Sequence, residues 1–197
     1  MKNYALLFLM AGSLLVSCSN NDSTTNSIDD LVNENPATFN EIASITIGGA
    51  GAAEISAYDE VSKKLFTVNN SGTNRIDVID LSDPSNPKII GQIDLTFFNG
   101  ASNSVATHNG KLAVALEASP NKQALGKVVV FDTADYRVIK EITVGSLPDM
   151  VVFSPDGKYI MTANEGEPNS DFTVDPNGSI SIIDVTNNYS VTTVDFN

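Results

Sequence analysis

The chain has 197 residues, 24 of them acidic and 11 basic, for a formal net charge of -13. That balance argues against a nucleic-acid partner, because phosphate binding needs a basic surface and the basic residues form no patch along the sequence. Aromatic residues make up only 7%, and 13 Gly with 8 Pro favour many short strands joined by turns over long helices.

Residues 1–17 read as a lipoprotein signal peptide. Lys2 supplies the positive start and residues 5–10 and 14–16 a short apolar core, too brief for a lasting transmembrane helix. The phrase Leu15-Val16-Ser17-Cys18 resembles the bacterial lipoprotein box, in which a peptidase cuts before the cysteine and the sulfur carries a diacylglyceryl group. Cys18 is the single cysteine, so it is the expected lipidation (palmitate) site and no disulfide framework is possible. Residues 18–40, rich in Ser, Thr, Asn and Asp, read as a flexible tether. Each buried acyl methylene is worth roughly 0.8 kcal/mol, so several chains on one cysteine would hold the protein at a membrane. The expected location is the bacterial cell envelope, and Ser19 rather than Asp after the cysteine points to the outer membrane.

From residue 41 onward the sequence repeats. Outer-strand phrases occur at 42–47, 90–95, 139–144 and 191–196, inner-strand phrases at 53–58, 103–107 and 149–153, and second strands at 64–68, 111–115 and 159–163. Third strands run over 75–80, 127–132 and 179–184, and their closing aspartates, Asp80, Asp132 and Asp184, are 52 residues apart both times. Six apolar or alternating residues ending in Asp before a turn are strand chemistry. A period of about 50 residues matches a propeller blade.

The predicted fold is therefore all-β, a partial beta-propeller of antiparallel four-stranded blades over 41–197. It would comprise a closing outer strand at 42–47 and blades at about 52–95, 101–144 and 148–196. A closed ring takes at least four blades. The chain is thus expected to be the first part of a longer domain, whose apolar blade faces await missing C-terminal blades or self-associate. Ser154-Pro155-Asp156-Gly157 predicts a tight hairpin turn, and His108, the one histidine, falls in the equivalent turn of the preceding unit, where a surface position is expected.

The repeat places Glu54, Asn103 and Asp149 at the starts of inner strands, and Asn70, Glu117 and Glu165 just after second strands. On a propeller these positions approach one rim. Carboxylates gathered there, with Glu167 from the acidic loop 165–178, would suit a hard cation such as calcium, which takes six to eight oxygens. No EF-hand spacing is present, and polar rim capping is the simpler reading. No phosphate-cradling Gly-rich loop and no nucleophile–histidine–acid set is recognisable, so no catalytic or cofactor-binding residue is assigned.

The phrases Gly51-Ala-Ala-Glu-Ile-Ser-Ala-Tyr-Asp59, Leu147-Pro-Asp-Met150, Phe153-Ser-Pro-Asp-Gly157 and Asn164-Glu-Gly-Glu-Pro168 resemble the amino-terminal half of bacterial choice-of-anchor I domain proteins and, more distantly, YVTN- and WD40-type propellers. The resemblance implies a secreted or surface-attached propeller from a much longer domain. The leading functional reading is a membrane-anchored surface binding or scaffold module for a protein or small-molecule ligand. The alternative is a metal-dependent phosphoesterase-like enzyme drawing on Glu54, Glu117, Asp149, Glu165 and Glu167, with its site incomplete in this stretch of chain.

Overall fold

The computed structural model describes residues 35–196; the expected signal peptide, Cys18 and most of the expected tether lie outside them. The chain divides into two units, residues 1–40 and 41–197. In the first, Pro36–Thr38 form one 3-10 turn, and the Asn35 side chain caps it by accepting from the Ala37 N–H at 3.0 Å.

The second unit contains twelve described strands in three four-stranded antiparallel sheets, each built from consecutive strands. The first sheet holds β1 (Ala52–Asp59), β2 (Lys64–Asn69), β3 (Arg75–Asp80) and β4 (Lys88–Asp94). The second holds β5 (Ser102–His108), β6 (Lys111–Leu116), β7 (Leu125–Asp132) and β8 (Val138–Ser146). The third holds β9 (Pro148–Phe153), β10 (Tyr159–Asn164), β11 (Ser179–Asp184) and β12 (Ser190–Asp195). The first strands of the three sheets, β1, β5 and β9, run beside one another, which gives a propeller-like arrangement.

The alternation of side chains along each strand decides what packs between sheets. Phe66, Val68, Ile76 and Val78 of the first sheet meet Leu112, Val114, Leu116, Val129 and Phe131 of the second. The intervening residues Ala113, Ala115, Val128 and Val130 point the other way, onto Val151, Phe153, Ile160 and Ile183 of the third. The middle sheet is thus buried on both faces, which is why Leu112–Leu116 and Val128–Phe131 read as unbroken apolar runs.

Turn chemistry fixes the registers. Each closing aspartate of a third strand accepts the N–H two residues on, Asp80 from Ser82, Asp132 from Ala134 and Asp184 from Thr186, all at 2.9 Å. These Asx turns explain the recurring Asp. Hydrogen bonding from Ser82 and from Thr186 holds the Asp80 and Asp184 carboxyls below the ordinary carboxylate range. At the β9–β10 hairpin, Gly157 takes φ +68° and donates to the Ser154 carbonyl at 2.8 Å, while Ser154 Oγ donates to Asp156 Oδ1 at 2.7 Å.

Residues 42–47, expected as a closing outer strand, pair with no strand among the described residues, and Ile42 is two-thirds exposed. A strand exists through its ladder partner, and the one described tie here is a side-chain bond, from Asn69 Nδ2 to the Ile47 carbonyl at 2.9 Å. One expectation needs correction: His108 is the last residue of β5 and is half-buried, not a surface turn residue. Its ring lies 5.7 Å from that of Phe153, centroid to centroid, and so close to Gly157 that a Cβ there would strike it. The glycine serves both the left-handed turn and the contact between sheets.

Candidate functional site

The starts of the inner strands and the ends of the second strands form a polar rim. Irregular register between Ala52 and Ser56, between Ser102 and Ser104, and between Ala163 and Asn164 loosens the ladder at this end of each sheet. Bulges of this kind re-aim side chains at sheet ends, and the freed backbone groups recruit amides and hydroxyls.

Between the first and second sheets the recruits are Asn70, Asn74 and Ser102. Asn70 Nδ2 donates to the Ser102 carbonyl at 2.9 Å and to Glu54 Oε2 at 3.2 Å. Ser102 Oγ donates to Asn74 Oδ1 at 2.8 Å, and Asn74 Nδ2 donates to the Gly100 carbonyl. Between the second and third sheets, Asn103 Nδ2 reaches the Pro148 carbonyl at 3.4 Å. Asn74 and Ser102 were not singled out by the repeat, since Asn74 sits in a turn that the strand phrases skip.

The five carboxylates proposed for a cation are dispersed. Glu54 is exposed on β1 and engaged by Asn70. Glu117 is buried after β6, with Lys122 Nζ 3.3 Å from its Oε2. Asp149 is exposed on β9, and Glu165 and Glu167 are exposed after β10. Glu165 is held through its backbone N–H, which donates to the Leu147 carbonyl at 2.9 Å, and Glu167 through its carbonyl, which accepts from Gln123 Nε2 at 3.1 Å. Among the described residues no three His, Cys, Asp or Glu side chains stand together closely enough to hold a metal ion.

The acidic loop 165–178 has a defined shape. Asn169 exchanges bonds with Val174, donating from its N–H to the Val174 carbonyl at 2.9 Å and accepting the Val174 N–H at Oδ1 at 3.0 Å. Thr173 Oγ1 donates to Asp171 Oδ1 at 2.8 Å. The tip presents Phe172, 77% exposed with φ +57°. Gly166, at φ +66°, lies against the backbone of Pro176 and Asn177, where a Cβ has no room.

At the opposite end of the sheets, Asp59 carries the most demanding electrostatics. It is 2% exposed and accepts four hydrogen bonds: from the Ser62 N–H at 3.0 Å, Ser62 Oγ at 2.7 Å, Thr133 Oγ1 at 2.8 Å and the Gly110 N–H at 3.2 Å. Burial alone would raise its carboxyl, but these bonds outweigh it and hold the group below its ordinary value. Two of the four cross to the second sheet, so Asp59 staples neighbouring sheets.

Fold and rim together define a repeat-built β-sheet domain of the binding or scaffold type, with loops displayed at the ends of stacked sheets. The model of the choice-of-anchor I domain matches residues 54–197, and the chain belongs to that family. Hydrazine synthase from Kuenenia stuttgartiensis is similar in structure at 21% identity, with a TM-score of 0.52 over 71% of this chain and 41% of that one. TolB from Acinetobacter baumannii is similar at 20% identity, with a TM-score of 0.46 over 72% of this chain and 31% of that one. The chain thus spans less than half the length of either. No curated protein matches it.

Proposed function

We propose that the protein is a surface-attached binding or scaffold module, part of a propeller of the YVTN and WD40 kind, lipid-anchored through Cys18 at the bacterial outer membrane. The observation that carries the binding reading is the pinned rim. Bonds from Asn70 to Ser102, Asn103 to Pro148 and Gln123 to Glu167 lock loops of different sheets to one another. Preorganised loops lose little entropy on capturing a ligand, and Phe172 at the tip of a braced loop is the kind of rigid aromatic anchor that dominates binding energy.

Two experiments test this reading. Calorimetry with calcium and turnover of a phosphomonoester should both give no signal. Turnover that disappears in Glu165→Ala and Glu117→Ala would replace the binding module with the phosphoesterase-like enzyme.

The anchor rests on the Leu15-Val16-Ser17-Cys18 phrase. In a bacterial host the wild-type protein should fractionate with membranes and label with palmitate, and Cys18→Ala should do neither. Palmitate labelling of the alanine variant would refute the anchor.

A further inference from the structure

Where the rim passes from the first sheet to the second, the β2–β3 turn, the link at 95–101 and the loop after β6 surround a cleft of about 470 Å³. Asn74, Thr96, Asn99, Gly100, Ser119 and Pro120 are among its lining residues. No charged side chain lines it, in a chain of which 18% is charged.

The walls are fixed by bonds that leave particular groups over. The Ser119 N–H donates to the Asn99 carbonyl and the Glu117 N–H to the Ala101 carbonyl, both at 3.0 Å. Asn74 Oδ1 accepts from the Ser102 N–H at 3.2 Å, and Asn74 Nδ2 takes the Gly100 carbonyl. A Cβ on Gly100 would strike the Glu117 carbonyl oxygen, so the two loops touch backbone to backbone. The Thr96 hydroxyl is also engaged, donating to Asp94 Oδ1 at 2.6 Å. Among the described residues nothing bonds to the Asn99 side-chain amide or to the Ser119 hydroxyl.

The 3-10 turn Thr96–Phe98 adds an aromatic ring. Phe98 packs on the core, edge-on to Phe131 at 5.8 Å, and so pins the turn. The preceding Phe97 stands between two lining residues and is 82% exposed.

We propose that this cleft binds a neutral carbohydrate, with Phe97 as the platform for one face of a sugar ring and Asn99 and Ser119 as the groups that pair with its hydroxyls. The proposal rests on the reading of the rim as a binding surface and gives that surface a ligand class. An amide and a hydroxyl both donate and accept, as sugar hydroxyls do, and the C–H face of a sugar ring is apolar enough to cover an aromatic side chain. An anionic ligand finds no cation in the lining and meets a formal net charge of -13. A peptide added as a strand needs free backbone groups, and the carbonyls of residues 99–101 are taken.

The test is a glycan array read with the 197-residue chain carrying Cys18→Ser. The array carries neutral α- and β-linked gluco-, manno- and galacto-oligosaccharides, with polygalacturonate and heparin as anionic probes, and the strongest neutral hit is then titrated by calorimetry. The expected result is binding to at least one neutral oligosaccharide and to neither anionic probe. Phe97→Ala and Asn99→Ala, both at exposed positions, should each weaken that binding about tenfold with an unchanged circular dichroism spectrum. An array silent throughout, or binding confined to the anionic probes, would overturn the proposal, whereas the wider reading of the rim falls only to phosphomonoester turnover. Neutral binding unmoved by both variants would overturn the assignment to this cleft.

Discussion

Phe66→Ala should lower the unfolding free energy by about 4 kcal/mol, within the range for emptying a buried aromatic site. Phe66 is completely buried in the core between the first two sheets, with its ring edge-on to Tyr136 at 6.3 Å. Strands on both sides hold the site open, so the cavity cannot collapse without moving a sheet, and the cost belongs toward the upper end of that range. Urea unfolding followed by tyrosine fluorescence or circular dichroism measures it. A loss well below about 3 kcal/mol, the low end for emptying a buried aromatic site, would show that the two sheets are not packed as described.

Asp59→Ala should cost about 3 kcal/mol, because it strands the buried Thr133 hydroxyl and the Gly110 N–H that the carboxylate now satisfies. The pH dependence carries a sign. A carboxyl whose folded value lies below its unfolded one, as for Asp59, contributes stability fully present above the unfolded value near 3.8. That contribution disappears as pH falls through the lower folded value. The wild-type protein should therefore lose stability below about pH 4 more steeply than Asp59→Asn, which keeps the shape without the titration. Parallel acid profiles for the two proteins would remove Asp59 as a source of acid sensitivity.

The strand phrases of the sequence match the structure to within a residue or two at most ends. Alternation and the Asp-terminated third strands are local signals, and local signals survive into the fold. The rim was legible only as a list of polar positions. Glu54 meets Asn70 because an irregular register at the start of β1 turns both toward the second sheet, and no spacing in the sequence encodes that. Glu117 and Glu165 hold equivalent places in the repeat, yet each meets its own local surroundings, Glu117 the Lys122 ammonium and Glu165 the Leu147 carbonyl through its backbone N–H. Asp59 was missed as a staple because its partner Thr133 lies 74 residues away, beyond any pattern a strand period reveals. The segment at 42–47 shares its composition with the other outer strands, but composition names no ladder partner, and none of the described strands pairs with it.

The stacking of three sheets, each made of consecutive strands, also governs how the unit comes apart. Every hydrogen-bonded ladder closes within about 50 residues of chain, and among the described residues it is the middle sheet that contributes to both apolar cores. Opening the middle sheet forfeits both of these cores, whereas opening the first or the third forfeits one of them, so the middle sheet should be the last of the three to open. Amide hydrogens of β6 and β7 should be the last of the described strands to exchange with deuterium, and a protease should cut within the first or third sheet before it cuts within the second.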